Sequence, residues 1–377
     1  MSFTEIQETF DASHSKSFPY VRLYGGKSYI VWFDYYDAFH RKLNLSSCNL
    51  DGTGWSTVLV AIITNSTDHF EYDFQIYDDK IYVPFTKNYY GNNEIYIGVC
   101  NLDGSSWSLT KVSSLGYTVN DLKFIVDDTI YLVWANSSNQ MVLGSCNLDL
   151  SGFAVLSTLT SGPDYHYPTC FIVEGSSIYY GFGTKPGDTI SIGKSALDGS
   201  GFSFAAGSIE DAEYSCNSIM VIDDSILLCY TFYGDDGSGI ALTKCGTDLS
   251  GLTDVVLVAD SVYYPWVISA RYDSVRGQLV YVFTQYDIDW WNQVFLGGSR
   301  LDGSGFTSEQ ETFTEDDVSD FWSADFDGTY LYMIYERDYQ LWFAWGQPPT
   351  PGGYAQANCI AVRAVIDAHT GQMITPT

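Results

Sequence analysis

One short motif recurs six times along the chain, at a spacing that few folds can accommodate. In its first copy, residues 49–55, it reads NLDGTGW, an aspartate in a turn-forming run with an aromatic residue four positions later. The motif aspartates are Asp51, Asp103, Asp149, Asp198, Asp248 and Asp302. Their successive spacings are 52, 46, 49, 50 and 54 residues. A period of this length exceeds that of most helical repeats and matches a unit of four short β-strands.

The segments between the motifs alternate β-forming runs with tight turns. In the second repeat we predict strands at residues 72–77, 80–86, 94–102 and 107–114. The turns after the first strands are acidic or glycine-rich, as at Asp78-Asp79 and Gly25-Gly26, and such residues tolerate the positive φ of two-residue hairpins. No run of ten residues has convincing helical periodicity. The chain is therefore predicted to be all-β, and its repeat indicates a β-propeller.

The first hairpin of the repeat occurs seven times, so seven blades are predicted. The hairpins lie near residues 18–36, 72–88, 119–137, 167–185, 216–234, 266–286 and 321–338. The seventh blade reaches a third strand at residues 340–345 and then meets Gln347-Pro348-Pro349, which does not continue a central strand. Residues 3–10 match residues 306–313, the outer strand of blade six, at six of eight positions. We therefore predict that the N-terminal strand completes blade seven and closes the propeller.

The chain changes in character after the predicted propeller, which covers residues 1–346. Residues 347–353 read QPPTPGG and are typical of a linker, and residues 354–377 are alanine-rich with few aromatics. Ile360, Val362 and Ala364 alternate with their neighbours as in a strand. Because an isolated hairpin is marginally stable, we expect this arm to pack on the propeller or, as an assembly contact, on another chain.

The repeat resembles two groups of β-propellers, the Asp-box (sialidase-like) and the YWTD or TolB-like propellers. Both carry an aspartate-bearing turn before the outer strand, which the second group writes LDGS, as at residues 197–200. The sequence departs from both. Trp55 follows Asp51 by four residues where an Asp-box has five, and strings such as IYLVW at residues 130–134 replace the YWTD tetrad. The resemblance covers residues 1–346 and implies the fold, but its members include hydrolases, lectins, receptors and scaffolds, so function stays open.

The loops that lead into the first strands carry aromatic residues interleaved with Asp, Asn and His. Flat apolar rings beside fixed polar groups are typical of a sugar site. In a propeller these loops converge on one face, so we expect a glycan or a host surface protein to bind there. The predicted ligand-binding residues are Tyr20, His69, Tyr72, Asp121, His166, Tyr167, Asn217, Trp266 and Trp322. The alternative is that these aromatics fill the core between blades.

The motif aspartates are interpreted as structural, because six equivalent copies indicate architecture, and each is expected to accept N–H bonds within its own turn. Four cysteines lie three residues before a motif aspartate and are interpreted as small buried residues: Cys48, Cys100, Cys146 and Cys245. The five histidines are dispersed, so no metal site and no cofactor are predicted. The fragment DFDG at residues 325–328 offers a Ca²⁺ alternative, for which a hairpin turn is the preferred interpretation.

The sequence contains no recognisable catalytic constellation. A sialidase-like site needs an arginine cluster, and of seven arginines only Arg22 and Arg271 fall on predicted first strands. The GxSxG motif is absent. We therefore expect a chain that is not an enzyme, and paired-carboxylate glycosidase chemistry remains the open alternative.

The charge of the chain limits the classes of partner that it can bind. Acidic residues outnumber basic ones 46 to 17, for a formal charge of −29. Such a chain is repelled by phosphate backbones and anionic membrane surfaces, which excludes nucleic acid as a partner. No apolar run is long enough to insert into a membrane, and the N-terminus has no signal-peptide pattern, so we expect synthesis in the cytosol.

Together these features predict a binding or structural component of a phage or virus-like particle, such as a fibre, tail or decoration protein. It would recognise surface glycans or proteins and join other subunits through residues 354–377, with a virion or an extracellular assembly as its final location. Two alternatives stay open. One is a glycoside hydrolase or sialidase-like enzyme, and the other is an adhesin or extracellular fibre subunit.

Overall fold

The chain consists of small β-sheets. A computed structural model describes residues 4–9, 16–37, 40–64, 68–70, 73–89, 92–113, 119–161, 164–185, 189–209, 215–234, 237–260, 266–286, 292–310, 320–337, 340–346, 364–367 and 372–374. Every regular element in these ranges is a β-strand, and the strands form seven separate sheets. No helix that could cross a membrane occurs in them. The predicted all-β class and the seven-bladed β-propeller are confirmed.

Each sheet is one blade, and strands are numbered along the chain. Blade one contains β2 (Lys16–Tyr24), β3 (Lys27–Asp37), β4 (His40–Asn49) and β5 (Ser56–Thr64). Blade two contains β6 (Asp68–Phe70), β7 (Gln75–Tyr77), β8 (Lys80–Tyr89), β9 (Asn92–Asn101) and β10 (Ser108–Lys111). Blade three contains β11 (Val119–Val126), β12 (Ile130–Asn136), β13 (Met141–Cys146) and β14 (Ala154–Thr158). Blade four contains β15 (Tyr165–Glu174), β16 (Ser177–Lys185), β17 (Thr189–Ala196) and β18 (Ser203–Ala206).

The remaining blades follow the same plan. Blade five contains β19 (Ser215–Ile222), β20 (Ser225–Gly234), β21 (Gly237–Gly246) and β22 (Thr253–Asp260). Blade six contains β23 (Trp266–Asp273), β24 (Gln278–Tyr286), β25 (Asn292–Ser299) and β26 (Thr307–Gln310). Blade seven contains β27 (Asp320–Phe326), β28 (Leu331–Arg337), β29 (Gln340–Gly346) and β1 (Thr4–Thr9), and two further strands extend its sheet, β30 (Ala364–Asp367) and β31 (Gln372–Ile374).

Blade two departs from the predicted pattern. The sequence predicts one first strand at residues 72–77, but the structure has two short pieces, β6 and β7, which both pair with β8. The Oδ1 atom of Asp73 accepts a hydrogen bond from the backbone N–H of Phe74 at 2.7 Å. Such a local side-chain bond competes with pairing in the sheet, and residues 73–74 lie outside both strands.

Blade seven is completed by the other end of the chain, as predicted. β1 pairs antiparallel with β29, with Thr4 opposite Trp345 and Glu8 opposite Leu341. On its other side β1 pairs in parallel with β30, so the tail lies on the edge of this same sheet. Of the predicted assembly residues, Ala364 begins β30, whereas Ile360 and Val362 lie outside the described residues.

The motif turns of blades one to six are closed by the same hydrogen bonds. In blade one the N–H of Gly52 donates to the carbonyl of Asn49, and the Oδ1 atom of Asp51 accepts from the N–H of Thr53 at 3.0 Å. The equivalent carboxylates in the next five blades accept from the N–H two positions on at 2.9 to 3.0 Å. Hydrogen bonds from the hydroxyl and then the N–H of that residue lower the pKa of all six aspartates.

The residue after the motif aspartate has a positive φ, which favours glycine. Gly199 has a φ of 78°, and a Cβ added there would lie 2.4 Å from the Cβ of Ser157 on the outer strand of blade three. Two blades place leucine at this position, and Leu150 and Leu249 both have a φ of 66°. Each packs in an apolar cluster between blades, and this burial offsets the cost of the left-handed conformation.

The chain divides into two compact units. The first consists of Met1–Ser66, Cys100–Trp107 and Ile268–Thr377, and the second of Thr67–Val99 and Ser108–Val267. In the second unit, buried apolar clusters fill the spaces between successive blades from two to five. In the first unit, such clusters lie between blades six and seven and between blades seven and one. Burial of these side chains is the main term that stabilises each unit.

Candidate functional site

The first strands of five blades contain one extra residue near their beginning. The pairing with the second strand shifts between Ser17 and Tyr20, Asn120 and Lys123, Pro168 and Cys170, Cys216 and Ser218, and Phe321 and Ser323. A β-bulge redirects neighbouring side chains and is frequent beside active sites. Four predicted ligand-binding residues lie within or next to these bulges, namely Tyr20, Asp121, Asn217 and Trp322.

Three of the bulges lie on neighbouring strands of the second unit, because β15 packs between β11 and β19. Asp121 on β11 is exposed and has a φ of 53°. Thr169 is the extra residue of β15, and its hydroxyl donates to the carbonyl of Gly181 at 2.9 Å. Asn217 is the extra residue of β19. The bulges therefore place an acid, a hydroxyl and an amide residue at corresponding positions of three adjacent strands.

His166 lies at the start of β15, three residues before this bulge. Its side chain is 7% exposed, and its Nδ1 atom lies 3.2 Å from the hydroxyl of Thr184. Its ring meets the ring of Phe182 edge-on, with centroids 6.0 Å apart. Burial lowers the pKa of His166, and the charge of Asp164 opposes that shift. The imidazole is therefore neutral near pH 7 and able to accept a proton.

Tyr167 packs within its own sheet. Its side chain is 3% exposed, and a Cβ added to Gly183 on the paired strand would lie 2.0 Å from the Cζ atom of Tyr167. The phenol ring thus covers Gly183, which only a residue without a side chain allows. In this position the ring serves the packing of blade four, and a role in ligand binding stays a prediction.

The other predicted ligand-binding residues are spread over several blades. Tyr20 is half-buried on β2. The structure places four more on first strands, namely His69 on β6, Asn217 on β19, Trp266 on β23 and Trp322 on β27. Tyr72 lies outside the described residues. Their contact with a ligand remains a prediction.

The two first-strand arginines of the first unit turn toward protein groups. The Nε atom of Arg271 lies 3.6 Å from the Oδ1 atom of Asp325, and its Nη1 atom donates to the carbonyl of Ala270. The Nη1 atom of Arg22 donates to the carbonyl of Val21 at 2.9 Å. These interactions hold both guanidinium groups against the strands that carry them.

The fragment considered for calcium forms a hairpin turn. The Oδ1 atom of Asp327 accepts from the N–H groups of Thr329 and Tyr330 at 2.8 and 2.7 Å. Within the described ranges, no group of three or more His, Cys, Asp and Glu residues is placed to hold a metal ion. The four motif cysteines are buried, and burial raises the pKa of Cys100 and Cys146 to about 12, so these thiols stay protonated.

The bulges were missed at the level of sequence, although one signal was present. Pro19 and Pro168 stand inside first strands, and proline is confined to edges and bulges because it has no N–H to donate. Thr184 and Phe182 were also missed as neighbours of His166. Residues 182 and 184 point to the same face of β16, but only the register of β15 against β16 places His166 opposite Thr184.

Comparisons with known proteins extend the description of the fold. No protein-family model matches the sequence, and no curated protein matches it. An ulvan lyase of the polysaccharide lyase class, solved with a GlcA-containing saccharide, has a TM-score of 0.61 at 11% identity, covering 91% of this chain and 96% of its own. A microbial sialidase has a TM-score of 0.50 at 12% identity, covering 81% and 73%. A prolyl endopeptidase has a TM-score of 0.53 at 12% identity, and the match covers 90% of this chain and 51% of that protein.

At these identities the comparisons establish the fold alone, and the resemblance to sialidase-like propellers is confirmed at that level. They also correct one expectation. The sequence predicted that this chain is not an enzyme, because it has no recognisable catalytic motif. The lyase and the sialidase are glycan-active enzymes on the same fold, so a missing motif is no ground for excluding catalysis.

Proposed function

We propose that this chain is a glycan-active enzyme whose site lies at the beginnings of β11, β15 and β19. The observation that carries the proposal is the environment of His166, a buried neutral imidazole beside three aligned bulges. Perturbed titratable groups next to redirected side chains are typical of active sites. The glycan-active enzymes that share the fold support the same proposal.

The proposed chemistry is acid–base cleavage of a glycosidic bond. His166 accepts a proton through its Nε2 atom from the water that attacks the sugar, while Thr184 fixes the ring through Nδ1. The glycosidic C–O bond breaks as its oxygen takes a proton from an acid. The exposed carboxyl groups of Asp121, on β11, and of Asp164, directly before β15, are the candidates for the complementary acid. Asn217 and Thr169 are the candidates for binding sugar hydroxyls.

The charge of the chain favours a neutral polysaccharide as the substrate. A formal charge of −29 lowers the local concentration of polyanions near the protein. Elimination by a lyase requires a uronic acid, whose carboxylate makes the adjacent C–H acidic, whereas hydrolysis does not. We therefore propose hydrolysis as the reaction and elimination as the competing outcome of the assay.

The test is incubation of the chain with a panel of neutral and acidic polysaccharides. Release of reducing ends without ultraviolet absorbance would identify hydrolysis, and an absorbing unsaturated product would identify elimination. His166→Gln should lower kcat by about 100-fold or more, the usual contribution of a general base.

Phe182→Leu is the matched control, because it disturbs the same packing without removing a proton acceptor. It should cost much less activity than His166→Gln at an equal change in melting temperature. Full activity of His166→Gln would show that the active site does not include His166. If the chain cleaves no polysaccharide in the panel, the proposal that it is a glycan-active enzyme is refuted.

The hypothesis of a phage or virus-like particle component gains no support from the comparisons. The structures named above are enzymes, and none is a particle subunit. Recognition of a surface glycan remains compatible with the proposed site, because an enzyme that cleaves a glycan must first bind it.

A further inference from the structure

The sheet of blade seven differs from the others at its outer edge. In the other six blades the sheet ends at the strand that follows the motif turn, within the described residues. In blade seven β1 carries β30 and β31 beyond it, in the order β29, β1, β30, β31. The unpaired N–H and C=O groups of an edge strand are a template for another strand. Here the tail of the chain occupies that template.

The pairing that holds the tail is short. β30 pairs with β1 over four residues in parallel, from Ile6 opposite Ala364 to Thr9 opposite Asp367. Parallel pairing is slightly weaker per residue than antiparallel pairing. Within the described residues β31 pairs with β30 alone, over three residues, and an isolated two-stranded hairpin is marginal in water. The hairpin β30–β31 therefore depends on the edge of β1 for its order.

The connection to the hairpin is longer than its position requires. β29 ends at Gly346 and β30 begins at Ala364, so 17 residues join them. β29 and β30 lie on opposite sides of β1, and the last residue of β29 and the first residue of β30 both lie near the beginning of β1. The distance between them across the sheet is two strand spacings, or about 10 Å. Seventeen extended residues reach about 55 Å. The connection is therefore long enough for the hairpin to exchange with an equivalent hairpin.

We propose that the outer edge of β1 is a strand-binding site, filled by the chain's own hairpin, which also accepts strand β30 from a second copy of this chain. A second copy is the occupant that matches the observed register residue for residue. Because 17 residues tether it to β29, the chain's own hairpin competes for the edge at an effective concentration of about a millimolar, so exchange requires displacement of that hairpin or a comparable concentration of the second.

The experiment uses the full chain with Val365→Pro and Ile366→Pro, which removes the N–H groups that pair β30 with β1 and β31. The probe is a fluorescent peptide of residues 361–377. It should bind this variant saturably and bind the wild-type chain at least about tenfold more weakly, because the wild-type edge is occupied. A peptide with the same two prolines is the control and should bind neither. Equal binding to both chains, or none to the variant, would overturn the proposal.

A second measurement needs no variant and decides the matter where the proline chain does not fold. Hydrogen exchange of the wild-type chain is followed while unlabelled peptide 361–377 is added to millimolar concentration. The amides of residues 364–367 should lose protection as the peptide displaces them, while β1 stays protected. Unchanged exchange of residues 364–367 would overturn the proposal.

Discussion

The carboxylate of Asp325 accepts a hydrogen bond from the backbone N–H of Leu23 at 2.9 Å and so joins blade seven to blade one. The two residues are 302 positions apart in the sequence. The same carboxylate accepts from the N–H of Phe326 at 3.0 Å and forms an ion pair with Arg271. One partly buried side chain thus connects the first strands of three blades within the first unit.

Substitution of Asp325 should weaken the first unit. Asp325→Ala removes a charge-assisted bond and leaves the N–H of Leu23 without this acceptor, so we expect a loss of about 1.5–3 kcal/mol in the free energy of unfolding. Arg271→Gln keeps the bond from Leu23 to Asp325 and removes a partly exposed ion pair together with the bond from Nη1 to the carbonyl of Ala270, so it should cost less than Asp325→Ala, about 1 kcal/mol. Chemical denaturation of both variants measures the difference. An equal or larger loss in Arg271→Gln would mean that the ion pair, and not the bond to Leu23, is the important contact.

Substitution of two glycines in the same turn can separate the cost of backbone strain from the cost of steric contact. Gly199 and Gly201 have φ values of 78° and 67°, but only Gly199 approaches the neighbouring blade, whereas a Cβ on Gly201 would meet nothing within 4 Å. Gly201→Ala should cost about 1 kcal/mol for its left-handed conformation alone. Gly199→Ala should cost a further 1–3 kcal/mol, roughly, for overpacking against Ser157. Equal melting temperatures for the two variants would show that blade three yields to the added methyl group.

The parts of the fold that depend on local chemistry could be predicted from the sequence. The turn at Asp51 is specified by side-chain bonds within three residues, and the match between residues 3–10 and 306–313 identified the strand that completes blade seven. The parallel pairing of β30 with β1 could not be predicted, because four residues of alternating pattern do not specify a partner. The same limit applies to His166, whose burial follows from packing between strands and not from its own segment.

Two buried tryptophans at equivalent positions differ in their hydrogen bonds. The Nε1 atom of Trp32 donates to the hydroxyl of Ser46 at 3.2 Å, whereas Gly144 stands in the place of Ser46 in blade three. Within the described residues, the Nε1 atom of Trp134 is buried with no hydrogen-bond partner. A buried donor without a partner costs about 1–3 kcal/mol.

Replacement of each tryptophan by phenylalanine should therefore have unequal effects. Both changes remove the same volume, but Trp32→Phe loses a hydrogen bond and Trp134→Phe removes an unsatisfied donor. Trp134→Phe should be the more stable variant by roughly 1–3 kcal/mol. Urea denaturation of the two variants, with crystal structures to confirm unchanged packing, tests this. A Trp134→Phe variant that is the less stable of the two would indicate a partner for Nε1 in solution.

Acid should loosen the motif turns. The folded pKa of each motif aspartate lies below its value in the unfolded chain, about 3.9. Each carboxylate therefore contributes fully above that value, and the contribution is lost as the pH falls through the folded pKa. Ser151→Ala should raise the pKa of Asp149 in an NMR titration, because the hydroxyl of Ser151 is the largest cause of the shift. Ser138→Ala, in the same blade but without a bond to Asp149, is the control and should leave that pKa unchanged.

The charge of the chain makes a prediction that distinguishes the two reactions of the proposed site. With a formal charge of −29, encounter with a polyanionic glycan is opposed by repulsion that salt screens over a Debye length of about 10 Å at 0.1 M. If the substrate is a neutral polysaccharide, kcat/KM should be nearly independent of ionic strength. If it is a uronic-acid polymer, kcat/KM should rise with added salt while kcat changes little, because the effect is on association. A fall in kcat/KM with salt would contradict both cases, since it would require a basic binding surface strong enough to outweigh the acidic chain around it.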